Sequence, residues 1–351
     1  MTTLVTGGAG FVGANLVHRL LSAGERVRIL DDLSRPHVER NLAWLREVHG
    51  PLDVVIADVR DGGAVRDAMQ GVQHVFHFAA QVAVTTSLLD PVHDFEVNAR
   101  GTLAVLEAAR SCERPPSLLY TSTNKVYGAC ADIPLALRGG RYIPMDFGMR
   151  ESGIGESRLL EFHSPYGCAK GAADQYVLDW SRTFGVPTCV FRMSCIYGPR
   201  QFGNEDQGWV AHFLMHAMRG QRITIYGDGH QVRDVLFVDD LVDAMLLARS
   251  AMPRIAGNAF NVGGGAANAV SLLELLELIE PMVGVKPRVE FAPWRTADQR
   301  WYVSDVRKLT AALGWRPRTS VRAGIERLRA WLDASGVAKG TTAATADQAR
   351  A

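Results

Sequence analysis

Short apolar, β-branched runs alternate along the first half of the chain with longer stretches in which apolar residues recur at helical spacing. The short runs predict strands at 3–6, 27–30, 53–57, 74–78, 118–121 and 188–192. The longer stretches predict helices at 15–23, 64–70, 94–110 and 169–184. Strands that alternate with helices in this way are typical of an α/β protein with a doubly wound parallel sheet, which carries helices on both faces.

The alternation becomes less regular after about residue 193. The later part predicts a Gly- and Gln-rich loop, helices and one strand, at 200–210, 211–219, 238–249, 271–279 and 223–226. Ser271 is a suitable N-cap for the very apolar helix that follows it. We therefore expect residues 1–193, with late elements of about 223–262, to form the first domain. A smaller interleaved C-terminal lobe would comprise residues 194–222 and 263–337.

Two segments show no clear periodicity. Residues 129–163 form a long insertion, and loops of this length are usually functional lids or mobile. Residues 338–351 are small and polar, which predicts a disordered tail.

Composition and charge narrow the class of protein. Lys and Arg number 38 against 37 Asp and Glu, so no strong field favours nucleic acid or an anionic membrane. The five cysteines are an odd number without a C-x-x-C pair, which argues against a zinc site or a disulfide framework. The glycine cluster begins at Gly7, too early for a signal peptide, and no run of about 18 apolar residues exists. We expect a cytoplasmic protein without a metal.

The N-terminal "LVTGGAGFVGANL" places Gly7, Gly10 and Gly13 between a predicted strand and a predicted helix. Glycines there allow a tight turn and the close approach of a pyrophosphate to the helix N-terminus. Asp31 ends the next strand, where an acid accepts hydrogen bonds from the adenosine ribose and repels a 2′-phosphate. NAD is therefore favoured over NADP, although Arg35 could hold a 2′-phosphate if it is not a solvated loop charge. Asp58 fits either an adenine contact or a cap of the helix that follows.

"HSPYGCAKGAADQY" contains Tyr166 and Lys170, which share one face of a predicted helix that begins near Ser164-Pro165. A tyrosine with a pKa near ~10 is a poor base. A neighbouring ammonium and an oxidised nicotinamide would favour its phenolate. On spacing alone, the pair fits a catalytic site or an ordinary surface helix.

The three glycines, the Thr123 hydroxyl and Tyr166-x-x-x-Lys170 together resemble the extended short-chain dehydrogenase/reductases, specifically the nucleotide-sugar epimerases and dehydratases, over about residues 1–335. The resemblance implies a Rossmann domain, bound NAD and a homodimer or tetramer built on helices 94–110 and 169–184. Tyr166 would be the base, Lys170 would lower its pKa and bind the nicotinamide ribose, and Thr123 would bind the reacting sugar oxygen. The implied NAD site comprises Gly7, Gly10, Phe11, Val12, Gly13, Asp31, Asp32, Ser34, Asp58, Val59, Ala79, Ala80, Gln81, Asn98, Tyr166, Lys170, Arg192 and Ser194.

Two later stretches resemble the family's basic elements. "GHQVRDVLFVDD" would place Arg233 at the nucleotide diphosphate, and "PWRTADQR" offers Arg295 and Arg300. Planar guanidinium groups suit bidentate phosphate contacts, although each arginine also fits a structural salt bridge.

The residues after Thr123 separate the reactions that share this scaffold. The 4,6-dehydratases carry Asp-Glu there, whereas this chain carries Asn124-Lys125. An amide cannot transfer protons usefully near neutral pH, which argues against a dehydratase. A decarboxylase would usually carry a Glu in this loop, and this chain has none there. Redox-neutral epimerisation remains, and Lys125 is expected to be a solvated charge.

Several stretches are more similar to the CDP-paratose 2-epimerases than to the 4-epimerases: "QVAVTTS", "STNKVYG", "FHSPYGCAKGAADQY", "RQFGNEDQGWV", "GHQVRDVL" and "ADQR". This resemblance implies inversion at C2 of a CDP-sugar. The implied substrate site comprises Thr85, Thr86, Ser87, Thr123, Asn124, Gln201, Gln207, Trp209, Arg233, Arg295 and Arg300. A 4-epimerase of the same fold, or a non-catalytic NAD-binding protein, are the alternatives.

Overall fold

The computed structural model describes residues 1–337, and the tail predicted at 338–351 lies outside the described residues. The strands are β1 (Thr2–Thr6), β2 (Arg26–Asp31), β3 (Asp53–Ile56), β4 (Val72–His77), β5 (Ser117–Thr123), β6 (Leu135–Arg138), β7 (Arg141–Pro144), β8 (Thr188–Met193), β9 (Cys195–Tyr197), β10 (Arg222–Tyr226), β11 (Val232–Phe237), β12 (Asn258–Val262), β13 (Ala269–Ser271), β14 (Arg288–Ala292) and β15 (Trp301–Tyr302). The α-helices are α1 (Phe11–Ser22), α2 (Val38–His49), α3 (Gly62–Ala68), α4 (Val84–Leu89), α5 (Pro91–Phe95), α6 (Gly101–Arg110), α7 (Phe147–Ser152), α8 (Ser164–Phe184), α9 (Trp209–Met218), α10 (Val238–Ile255), α11 (Leu272–Val283), α12 (Arg307–Leu313) and α13 (Val321–Ala334).

Seven parallel strands form one sheet in the order β12-β8-β5-β4-β1-β2-β3, which confirms the doubly wound prediction. All six predicted strands of the first half belong to this sheet. The chain runs outward from β1 to β3 and then crosses to β4 on the other side of β1. In such a sheet the crevice at this reversal, at the carboxyl ends of the strands, is the usual ligand site.

Apolar helix faces cover both sides of the sheet. One core contains Leu16 of α1, Leu42 of α2 and Met245 of α10, all buried. The opposite core contains Leu106 of α6 and Val177 of α8. Helix α2 was not predicted, because its four buried positions lie among charged residues in "VERNLAWLREVH".

The predicted helix at 94–110 is interrupted. Helix α5 passes through one π-helical turn at Glu96–Arg100 before α6 begins. Just after that turn the Thr102 hydroxyl donates to the Asn98 carbonyl at 2.6 Å, and it also contacts Nε2 of buried His77 at 3.0 Å. Such π-turns often occur beside functional sites, since they re-aim the side chains around them.

The smaller lobe contains α9, α11 and α13 around two short sheets. Strands β10 and β11, which the sequence assigned to the first domain, lie outside the large sheet: β10 pairs with β14, and β11 pairs with β9, β13 and β15. Helix α10 packs on the large sheet, and β12 joins it. The Ser271 cap is confirmed as a capping box, in which the Ser271 hydroxyl accepts from the Glu274 amide at 3.2 Å.

The insertion at 129–163 is built around a β6–β7 hairpin and helix α7. Its Ile133 and Ile154 are buried against Tyr127 and Tyr302. The insertion therefore packs as part of a core. Across residues 1–337, no helix is both long enough and apolar enough to cross a membrane.

Candidate active site

A cleft of about 680 Å³ lies between the carboxyl ends of the large sheet and the smaller lobe. The predicted residues that line it are Gly7, Gly10, Phe11, Val12, Gly13, Ala80, Thr85, Thr123, Asn124, Tyr166, Lys170, Ser194, Gln201, Gln207, Trp209, Arg233 and Arg295. The predicted residues outside its lining are Asp31, Asp32, Ser34, Asp58, Val59, Ala79, Gln81, Thr86, Ser87, Asn98, Arg192 and Arg300. Of the described chain, no part of 129–163 borders the cleft, so a lid role for the insertion receives no support.

The glycine turn after β1 leaves no room for side chains. Gly7 has φ +67°, and a Cβ there would lie 2.7 Å from the Ala79 nitrogen. A Cβ on Gly13 would lie 2.2 Å from the Gly7 carbonyl oxygen. Helix α1 begins just after Gly10, which provides no side-chain cap for its amides. The bare amides at the cleft wall fit the pyrophosphate of a dinucleotide.

The acids at the ends of β2 and β3 make contacts within the protein that the sequence did not predict. Asp31 is buried and accepts from the amides of Ala9 at 2.9 Å and Leu33 at 3.0 Å, so it braces the glycine turn. Burial raises the pKa of Asp31 in spite of these hydrogen bonds. Exposed Asp32 accepts from the Ser34 amide and hydroxyl.

Asp58 lies 2.6 Å from Arg60 in an ion pair. It does not cap the next helix, because Asp61 accepts from the amides of Gly63 and Ala64 there. The capping alternative for Asp58 is therefore wrong.

Thr123, Tyr166 and Lys170 lie together at the carboxyl end of β5. Thr123 ends β5, while Tyr166 and Lys170 lie in the first turns of α8; all three are buried. The Lys170 ammonium donates to the Thr121 carbonyl at 2.7 Å. Helix α8 begins at Ser164, as expected, and the Ser164 hydroxyl accepts from the Gly167 amide at 3.2 Å.

Burial dominates the electrostatics of this group. It raises the pKa of Tyr166 to about 12, against a hydrogen bond with Thr123 that lowers it. Burial also lowers the pKa of Lys170 to about 7, although Asp174 and Asp94 act in the other direction. The protein's own groups therefore keep the phenol protonated at neutral pH, and phenolate requires added positive charge.

The cations at the substrate end have acidic partners. Arg233 lies 2.6 Å from Asp298, and Lys125 lies 3.6 Å from the same carboxylate. Arg295 lies 3.1 Å from Asp206. Lys125 lines the cleft, and burial lowers its pKa, so the prediction of a solvated charge is wrong.

Arg192 does not reach the cleft. It is buried, forms an ion pair with Asp174 of α8 through two 2.9 Å contacts, and donates to the Tyr127 hydroxyl at 3.1 Å. The expected NAD contact is replaced by a structural ion pair between β8 and α8, because a buried guanidinium needs a counter-charge.

Asn98 and Ser87 support the cleft wall from behind. The Asn98 amide donates to the Gln81 carbonyl at 2.9 Å and to Asp94 at 3.0 Å. The Ser87 hydroxyl accepts from the Tyr166 amide at 3.2 Å, which positions the start of α8. Arg300 is exposed, 5.7 Å from the Tyr142 ring, away from the cleft lining.

Arg35, Lys125, Cys195, Tyr226 and Asp298 also line the cleft but were not predicted there. Each comes from a segment whose local pattern resembles an ordinary loop or strand. A signal existed for Lys125 and Asp298, which lie inside the quoted "STNKVYG" and "ADQR" stretches, and for Arg35 as a possible phosphate ligand.

Comparison with known proteins gives a consistent result. The family model described as "NAD dependent epimerase/dehydratase family" matches residues 3–263. A CDP-paratose 2-epimerase of Salmonella typhi is 42% identical over 338 residues, which cover 94% of this chain and 99% of that protein. A UDP-glucose 4-epimerase of Mycolicibacterium smegmatis is 34% identical over 330 residues, covering 93% and 97%. The structure of a Thermus thermophilus UDP-glucose 4-epimerase in complex with NAD superimposes with a TM-score of 0.77 at 31% identity, covering 95% and 99%.

Proposed function

Since the chain belongs to the NAD dependent epimerase/dehydratase family, we propose that it inverts C2 of a CDP-sugar, in the manner of CDP-paratose to CDP-tyvelose. The observation that carries the proposal is the 42% identity to the Salmonella 2-epimerase over 94% of the chain. The UDP-glucose 4-epimerase of Mycolicibacterium smegmatis reaches 34%. The Asn124-Lys125 pair, in place of the acids of a dehydratase, supports a reaction without elimination.

In the proposed mechanism Tyr166 removes the proton from the C2 hydroxyl and later returns it. Thr123 hydrogen-bonds the same oxygen, and the buried setting of both side chains excludes water from the exchange. Bound NAD would take up and return the hydride and, when oxidised, would bring a positive charge that favours the Tyr166 phenolate. Lys170 is buried beside them, where its ammonium would hold the nicotinamide ribose.

Reorientation of the keto-sugar requires space and a fixed anchor. The cleft of about 680 Å³ provides the space. Arg233 and Arg295, both in the cleft lining, would anchor the diphosphate. Their present partners, Asp298 and Asp206, would then share these cations with the phosphates.

We also propose a homo-oligomer built on α5, α6 and α8. Apolar side chains are exposed on and beside these helices: Leu89 at 86%, Val92 at 71%, Phe95 at 53% and Phe184 at 44%. An exposed apolar surface of this kind favours association. Light scattering should give the mass of a dimer or tetramer. A monomer at micromolar concentration would contradict the proposed homo-oligomer.

The test of the reaction is incubation with CDP-paratose, CDP-glucose and UDP-glucose, followed by NMR of the C2 and C4 configurations. Inversion at C2 of a CDP-sugar is expected. Inversion confined to C4 would refute the proposal and favour the 4-epimerase alternative. In deuterated water C2 should acquire no deuterium, because the hydride returns directly; clear incorporation would indicate proton abstraction at carbon instead.

A further inference from the structure

We propose that Arg35 is a strap across the dinucleotide: its guanidinium binds the NAD pyrophosphate opposite the glycine turn and holds the cofactor in place. The sequence allowed two interpretations of Arg35, as a solvated charge or as a ligand of a 2′-phosphate. The structure places this exposed residue in the cleft lining together with Gly7, Gly10 and Tyr166.

The other cations of the cleft already have partners. Lys125 and Arg233 share Asp298, and Arg295 pairs with Asp206. Lys170 donates to the Thr121 carbonyl. Within residues 1–337, the Arg35 guanidinium has no hydrogen bond, ion pair or ring contact. Asp31 acts on Arg35 electrostatically but does not contact it directly. A guanidinium with no direct contact, beside bare helix amides, is suited to an anionic ligand.

The loop that carries Arg35 has a defined shape. Left-handed residues flank it on both sides, Leu33 with φ 55° and His37 with φ 71°. The His37 ring lies 5.3 Å from the Phe202 ring, and the Arg40 guanidinium lies 5.8 Å over that same ring. Because such backbone conformations persist only where the surroundings enforce them, the loop fixes the backbone of Arg35 beside the cleft.

A pyrophosphate fits the position better than a 2′-phosphate. Asp31 and Asp32 lie at the end of β2, where the adenosine ribose is expected, and two carboxylates there repel a further phosphate. Arg35 lines the cleft together with Gly7 and Gly10, where the pyrophosphate is expected. An arginine fork matches two phosphate oxygens at once.

The role proposed for Arg35 in holding the cofactor rests on the proposed function. An epimerase that returns the hydride to the same sugar must keep its reduced cofactor while the sugar reorients. Phe202 belongs to the segment that carries Gln201 and Gln207 into the cleft, so the His37–Phe202 contact joins the strap to the substrate wall.

The test compares wild type, Arg35→Ala, Arg35→Lys and a control, Arg46→Ala, which changes an exposed arginine of α2 outside the cleft lining. NAD release from the purified protein is timed after dilution, and NAD, ADP, NADP, CDP and adenosine are titrated by calorimetry without sugar. Circular dichroism confirms the fold of each variant. Because no sugar is present, the result is independent of which carbon is inverted.

Arg35→Ala should release NAD about tenfold faster or more and weaken NAD, NADP and ADP alike, since it removes a charge-assisted contact. Adenosine and CDP should be unaffected, Arg35→Lys should be intermediate, and Arg46→Ala should match wild type. A loss confined to NADP would make Arg35 a 2′-phosphate reader, and a loss confined to CDP would place it at the sugar nucleotide. Either result, or unchanged NAD release, would overturn the proposal.

Discussion

Replacement of Arg192 by Met should destabilise the protein strongly without weakening NAD binding. The side chains of Arg192 and Asp174 are 5% and 0% exposed, and two contacts of 2.9 Å join them. Without the guanidinium, Asp174 is a buried carboxylate that keeps the Gln175 amide as a hydrogen-bond donor and the Lys170 ammonium as a nearby charge. Removal of one partner of a buried ion pair typically costs about 3–5 kcal/mol. Scaled to a chain of this length, the loss corresponds to a fall in the melting temperature of roughly 6 °C.

The double variant Arg192→Met/Asp174→Leu provides the matching test. It removes both charges and fills the space with apolar side chains, so it should recover most of the loss. Tyr127 keeps a partner in either variant, because its hydroxyl also donates to Asn261 at 2.8 Å. Arg182→Met, which breaks the exposed Arg182–Asp179 pair on the same helix, should cost less than about 1 kcal/mol.

Urea unfolding and the NAD content of the purified proteins are the measurements. The structural account requires a large loss of stability in Arg192→Met together with an NAD content equal to that of wild type. If Arg192→Met unfolds like Arg182→Met, or loses NAD while remaining folded, the assignment of Arg192 as a structural residue is wrong, and the original NAD contact returns.

Three further outcomes are expected. Tyr166→Phe should retain NAD but lose turnover by about 10²–10⁴-fold, and near-normal turnover in the NMR assay would remove Tyr166 from its role. Gly13→Ala should lose NAD, since the new Cβ would lie 2.2 Å from the Gly7 oxygen; a normal NAD content after purification would contradict this geometry. Burial raises the pKa of Asp94 to about 6, so its contribution to stability is fully present below about pH 4 and is lost as the pH rises through 6. Relative to wild type, the free energy of unfolding of Asp94→Asn should therefore rise by on the order of 2 kcal/mol between pH 4 and pH 7. Urea unfolding measures this difference. A difference that does not change with pH would show that Asp94 does not titrate in this way.

The local sequence pattern was sufficient for the main architecture. Alternation of short apolar runs with helical stretches gave the six strands of the first half, and all of them lie in the large sheet. The glycines after β1 were recognisable from their spacing in the sequence. The structure gives the physical reason for them, since close contacts exclude a Cβ at Gly7 and Gly13. The four-residue spacing of Tyr166 and Lys170 placed both side chains on one face of α8, where the structure has them. These features depend on sterics and periodicity over a few residues, which a sequence displays directly.

Long-range packing decided the remaining features. Lys125 meets Asp298, 173 positions away, and Arg192 meets Asp174 on a neighbouring helix. Strand β12 completes the large sheet from late in the chain, while β10 joins the smaller lobe. The loop that carries Arg35 is contacted through His37 by Phe202, which lies far away in the sequence. A charged side chain has the same local signature whether it is solvated, paired or aimed at a ligand, because only the folded chain determines which counter-charge lies within reach.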